Sequence, residues 1–112
     1  MGFYILKNTQ DKLYTFSFVV NDESDELLCS ETYNSKEEVE GGVDLMRTIA
    51  SFSSRYHQKR SDDDQHYFVI KAANDQLVAT SRLFPSTDLL EEAIDRVMHL
   101  ASEANVEDRC NF

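Results

Sequence analysis

The chain contains one proline and three glycines in 112 residues. Little in it breaks regular structure, so strands and helices joined by tight connections are expected. Cysteine is almost as scarce: Cys29 and Cys110 make no disulfide framework. Cys29 lies in the apolar run Leu27-Leu28-Cys29, where a thiol behaves as a small buried hydrophobe, and Cys110 lies in the tail. Reduced thiols are expected, with a Cys29–Cys110 disulfide left open. No apolar run reaches 18 residues, so nothing is expected to span a membrane. The opening MGFYILKNTQ lacks the basic-then-apolar order of a signal peptide, and Leu6 stands where a myristoylation signal needs Ser or Thr. The expected location is the cytoplasm. Basic residues are also few, 11 against 21 acidic, for a formal net charge of −10. This argues against phosphate-neutralising nucleic-acid binding and against adsorption to anionic membranes. It leaves an acidic surface that serves solubility or docks on a basic partner.

Hydrophobic residues make up 41% and charged residues 29%, the balance of a folded globular chain. One domain over 1–112 is expected, built from two repeats of about 1–51 and 52–112. Phe84-Pro85-Ser86 follows Tyr33-Asn34-Ser35 at an offset of 51 (84 − 33). At that offset Val39, Val43, Met46 and Ala50 match Leu90, Ile94, Val97 and Ala101, the spacing of one helix face. Leu27 to Ser30 matches Val78 to Ser81. Phe16 and Phe18 match Phe68 and Ile70 if one extra residue sits in the first hairpin turn. A monomer is expected rather than a dimer, because the repeat is internal.

Period-two alternation runs through Phe3/Ile5, Tyr14/Phe16/Phe18 and His66/Phe68/Ile70. Strands are predicted near 3–7, 13–20, 26–32, 55–60, 65–71, 76–82 and 105–109, with helices at about 36–51 and 87–102. Ser35 with Glu38 forms a capping box at the first helix. Gly41-Gly42 falls inside that helix, with Ala93 at the place of Gly42 in the second. A small residue twice at one helical position predicts close packing there.

The run Lys71 to Ser81, KAANDQLVATS, reads as strand, turn, strand, with Asn74-Asp75 at the turn. It resembles the YegP-like family of small bacterial and archaeal proteins, which typically has Lys-Ala-Ala-Asn-Gly-Gln before an apolar pair and Thr-Ser. Tyr33-x-Ser35-Lys36, Gly42-Val43, Ala50 and Ser54-Arg55-Tyr56 are similar to that family as well. The resemblance covers nearly the whole chain. It implies an α+β fold: two tandem strand-strand-strand-helix repeats forming one antiparallel sheet, with two helices on one face and exchanged post-helix strands, here 55–60 and 105–109. It implies no activity. The chain departs from the pattern at Asp75, in the acid-rich turn 21–25, at Thr87 and at Glu92-Ala93.

The catalytic inventory is thin. There is no glycine-rich phosphate loop, HExxH, CxxC or G-x-S-x-G. No cofactor, metal or catalytic residue is assigned. His57 and His66 flank Asp62-Asp63-Asp64 on an expected hairpin, which lacks the spacing of a calcium loop. Paired carboxylates such as Glu37/Glu38 and Glu91/Glu92 read as charged surface. The acidity has one local exception, Arg55-Tyr56-His57-Gln58-Lys59-Arg60. Pairing of this strand with acidic Val106-Glu107-Asp108 would neutralise it. The open sheet face should carry Tyr4, Tyr67 and Val69. With Arg55, Lys59 and Arg60 these make the candidate partner surface. The leading functional expectation is a non-enzymatic cytosolic interaction module. The alternatives are a ligand-binding or enzymatic domain with a pocket between helices and sheet, and nucleic-acid association through 55–60.

Overall fold

Alternating apolar residues pair into strands, and the inward set decides how those strands stack. A computed structural model describes residues 2–21 and 26–110. Its strands are β1 (Gly2–Asn8), β2 (Tyr14–Val20), β3 (Glu26–Ser30), β4 (Tyr56–Arg60), β5 (His66–Lys71), β6 (Leu77–Ser81) and β7 (Asn105–Asp108). Helix α1 (Lys36–Ile49) follows β3, and α2 (Thr87–Leu100) follows β6. One sheet holds the strands in the order β4-β5-β6-β3-β2-β1-β7. The two halves meet at the antiparallel β3–β6 pair. The expected antiparallel sheet holds with one exception. The strand after α2 returns to the first half and lies parallel to β1, Tyr4 opposite Val106.

Both helices cover the same face. Val39, Val43, Met46 and Ile49 of α1, with Leu90, Ala93 and Val97 of α2, bury against Leu6, Phe16, Phe18, Leu28, Phe68, Ile70 and Val78. That packing forms the apolar core between helices and sheet.

Local details recur in both halves. The buried Phe16 N–H donates to Ser30 Oγ at 2.9 Å, and the Phe68 N–H to Ser81 Oγ at 2.9 Å. Each serine hydroxyl donates onward to the next carbonyl, of Glu31 or Arg82. These serines satisfy backbone donors near the irregularities in the β2–β3 and β5–β6 ladders. Ser35 and Ser86 cap the two helices, each accepting from the N–H three residues on. The Glu38 carboxylate returns to the N–H of Asn34 at 3.0 Å, one residue before the expected capping-box partner. At the second helix Pro85 has no N–H to satisfy, and Leu89 replaces the carboxylate.

The hairpin in KAANDQLVATS forms, but over a longer loop than two residues. The Ala72 N–H donates to Gln76 O, the Asp75 N–H to Ala72 O, and the Gln76 N–H to Asn74 Oδ1. Only Asp75 takes a left-handed backbone, with φ 68°. No helix among the described residues is long and apolar enough to cross a membrane.

Candidate interaction surface

The register of β1 corrects one predicted surface residue. Tyr4 stands opposite Phe18, and Leu6 opposite Phe16, on the side that faces the helices. Tyr4 is fully buried, not exposed on the open face. Its hydroxyl donates to Ala101 O at the end of α2 at 2.8 Å, and the Arg47 guanidinium lies over its ring at 5.5 Å. Burial pushes its ionisation well above the ordinary phenol value. Tyr56 repeats the arrangement, donating to Ala50 O at the end of α1 at 2.6 Å. These tyrosines tie strands to helix ends, Tyr4 fully buried and Tyr56 partly so.

Tyr67 and Val69 do lie on the face away from the helices, by alternation with the inward Phe68 and Ile70. Val69 is nonetheless buried, as are Ile5, Ser17 and Val19 on the same face, and Tyr67 is half-buried. The face is therefore not a bare apolar platform. Cys29 lies there too, opposite Ser17 and Thr80, whereas Cys110 packs against the core beneath the helices. Both thiols are free and lie on different sides of the sheet. Burial raises the pKa of each.

The basic strand is placed differently from the neutralising pairing expected for it. β4 and β7 occupy opposite edges of the sheet, so 55–60 cannot pair with Val106-Glu107-Asp108. β4 pairs only with β5: His57 opposite Val69, Lys59 opposite Tyr67 and Arg60 opposite His66. Its other edge meets no described strand. His57, Gln58, Lys59 and Arg60 are all exposed, and Arg60 reaches Asp64 across the hairpin turn at 3.4 Å. His57 and His66 face opposite sides of the sheet and build no joint metal site.

Phe52 escaped the sequence reading. Among the described residues it is the most exposed of the large apolar side chains at 55%. It starts the short 3-10 turn Ser53–Arg55 that leads into β4, and its carbonyl accepts from the Arg55 N–H at 3.0 Å. The available signal was its position, a lone aromatic in the polar run between helix and strand. The acidic edge is quieter: Lys36 bonds to Asp108, and Arg109 bonds to Glu107 at 2.8 Å. The Lys36 hydrogen bond, helped by the Cys110 N–H, holds the Asp108 carboxyl down to about 2.

Surface crevices lie where each half's last strand crosses to its helix. One, of about 410 Å³, is lined by Leu27, Arg82, Leu83, Phe84, Leu89 and Arg96 among others. The other, of about 590 Å³, is lined by Glu31, Thr32, Tyr33, Asn34 and Glu38, with Gln76 and Leu77.

Comparison with known proteins supplies the wider frame. Residues 61–108 match the model of a domain of unknown function, DUF1508. A UPF0339 protein of Shewanella oneidensis is 31% identical over 109 residues, covering 96% of each chain. The UPF0339 protein YegP of Escherichia coli is 27% identical over 107 residues, again covering 96% of each. The solution NMR structure of a UPF0339 protein from Shewanella oneidensis superposes with a TM-score of 0.89 at 27% identity, over 97% of this chain and 92% of that one. The NMR structure of the Escherichia coli protein, described as of unknown function, gives 0.90 at 26% identity, over 99% and 95%.

Proposed function

The chain belongs to the UPF0339 family, and we propose that it is a non-enzymatic cytoplasmic module that binds an extended, acidic protein segment along the outer edge of β4. One observation carries this reading. A strand rich in Arg, Lys and His forms an exposed sheet edge on a chain of net charge −10, next to an exposed Phe52. An edge strand offers a row of backbone donors and acceptors to an incoming strand. The cations then select its charge, and Phe52 supplies an aromatic anchor. Two copies of β4 laid together would bring like charges face to face, which supports a monomer. Free thiols accord with a reducing compartment.

The test is titration of the full chain with a synthetic eight-residue peptide alternating Glu with Val, followed by amide chemical shifts. Shifts should concentrate on 52–60. A charge-reversed R55E/K59E/R60E variant should bind at least about tenfold more weakly, and rising salt should weaken the native complex. Equal binding of a Lys-Val peptide would sink the reading. Tighter binding of a single-stranded oligonucleotide at the same salt would replace it with nucleic-acid association.

A further inference from the structure

We infer that the segment taken up by the β4 edge lies parallel to β4, in the register by which β7 lies on β1, with an apolar residue opposite Tyr56 and acids opposite His57 and Lys59. This rests on the reading of that edge proposed above and adds the direction, register and sequence pattern of the bound strand. β1 and β4 are equivalent strands. Tyr4 pairs with Phe18 and Leu6 with Phe16; at an offset of 52 (56 − 4), Tyr56 pairs with Ile70 and Gln58 with Phe68. The outer edge of β1 is filled by β7, whereas the equivalent edge of β4 meets no described strand. The molecule therefore holds one such edge with its strand in place and one without it.

The backbone of the two edges is oriented alike. The Phe16 N–H turns away from β1 to Ser30 Oγ, and the Phe68 N–H turns away from β4 to Ser81 Oγ. In an antiparallel ladder this makes Leu6–Phe16 and Gln58–Phe68 pairs that exchange no hydrogen bond, so the backbone groups of Leu6 and Gln58 point outward. His66 exchanges both its bonds with Phe84, so its partner Arg60 points outward as well. On β1 the outward Leu6 carbonyl accepts from the Arg109 N–H at 2.9 Å, at the end of the parallel β7. Gln58 presents the same carbonyl on the open edge.

The flanking helices set the side chains. A crevice between α1 and β7 is lined by Glu40, Val43, Asp44, Arg47 and Val106. At the helix offset of 51 those α1 residues become Glu91, Ile94, Asp95 and Met98. Val43 and Tyr4 are buried, but Ile94, Met98 and Tyr56 are only partly so. An apolar residue opposite Tyr56, in the place that Val106 takes opposite Tyr4, would cover them. Acids fit poorly on this side, where Glu91 and Asp95 stand and Thr87 replaces the Lys36 that holds Asp108. They fit on the open face, which carries His57 and Lys59 by alternation with Gln58. The bound pattern is apolar-acid-neutral-acid, read in the direction of β4.

The probe is the peptide acetyl-Ser-Leu-Glu-Thr-Glu-Ser-amide, titrated into the full chain and followed by amide shifts. A nitroxide on an added N-terminal cysteine should broaden Arg55 and Tyr56 most, and one on an added C-terminal cysteine should broaden Arg60 and Ser61 most. N-methylation of the second glutamate removes the counterpart of the Arg109 N–H and should weaken binding about tenfold or more. N-methylation of the threonine, whose N–H points away from the edge, should leave binding within about twofold. A leucine-to-aspartate peptide should not bind. Labels that broaden the opposite ends, or equal losses from the two methylations, would overturn the parallel register and leave acidic-strand binding at β4 intact. If neither this peptide nor the alternating Glu-Val peptide shifts residues 52–60, the edge takes up no such strand and both proposals fall.

Discussion

The Tyr33 phenol occupies the space that a Cβ on Gly42 would need. Such a Cβ would fall inside the ring's hydroxyl end. Tyr33 is held there by paired backbone hydrogen bonds with Tyr14, each 2.8 Å, and its ring stacks on Phe16 with centroids 6.5 Å apart. The second half solves the same contact in reverse: Phe84 lacks the hydroxyl, and Ala93 has the Cβ. The neighbouring Gly41 has nothing within 4 Å of its notional Cβ.

The two adjacent glycines should therefore respond with opposite signs. Gly41→Ala should gain about 1 kcal/mol from helix propensity alone. Gly42→Ala receives the same gain but must displace a ring, and a net loss of about 1 kcal/mol is expected. In a Tyr33→Phe background that loss should shrink or vanish, giving a favourable coupling in a double-mutant cycle. Urea unfolding of the four variants measures it. A Gly42→Ala protein as stable as Gly41→Ala would refute the contact.

The turns give a second prediction, and it settles what Asp75 is for in the fold. Lys12, Asp64 and Asp75 all adopt left-handed backbone at the same place in the same hydrogen-bonded loop, with φ of 63°, 67° and 68°. Asp and Asn tolerate that conformation better than Lys does. Lys12→Gly should stabilise by up to about 1 kcal/mol. Asp75→Gly should gain less, because Asp already fits and loses a weak exposed pair with Lys71 at 3.6 Å. Thermal unfolding of both variants checks the order. A marked loss on Asp75→Gly would return that carboxylate to the candidate functional residues.

Much of this architecture was legible from alternation and from the offset of 51. The helix faces and hairpins follow from them, whereas the returning strand was implied by the family resemblance. Tyr4 was misplaced because GFYILKN is apolar on both parities, so the strand alone does not say which side is inward. The equivalent Tyr56 carried the missing clue, since each tyrosine bonds to a helix-ending alanine carbonyl. The partner of the basic strand was misjudged because pairing depends on which sheet edge each strand reaches. Charge complementarity does not determine that. The crevice beside α2 is not legible in any one stretch of sequence, because it is assembled from a strand, a crossing segment and a helix. The acid-rich turn 22–25 lies outside the described residues.

The last prediction concerns how β7 is fastened. Lys36 opens α1, where a cation is unfavourable against the helix dipole. Asp108 answers it, and also accepts from the Cys110 N–H at 2.9 Å. Its pKa falls from the ordinary 3.8 to about 2. The sign follows from linkage. A lowered folded-state pKa contributes stability that is fully present above the unfolded value and disappears as pH falls through the folded one. Asp108 should therefore add an acid-sensitive part to the stability between about pH 4 and pH 2. Asp108→Asn should flatten that part of the profile and leave the slope above pH 5 unchanged. Lys36→Gln should move the Asp108 titration back toward 3.8. Carboxyl carbon shifts followed by NMR from pH 6 to pH 1.5 report the titration directly. A native Asp108 titrating near 4 would mean that the pair does not hold in solution, and that β7 is retained by its backbone pairing with β1 and the packing of Ala104 and Cys110.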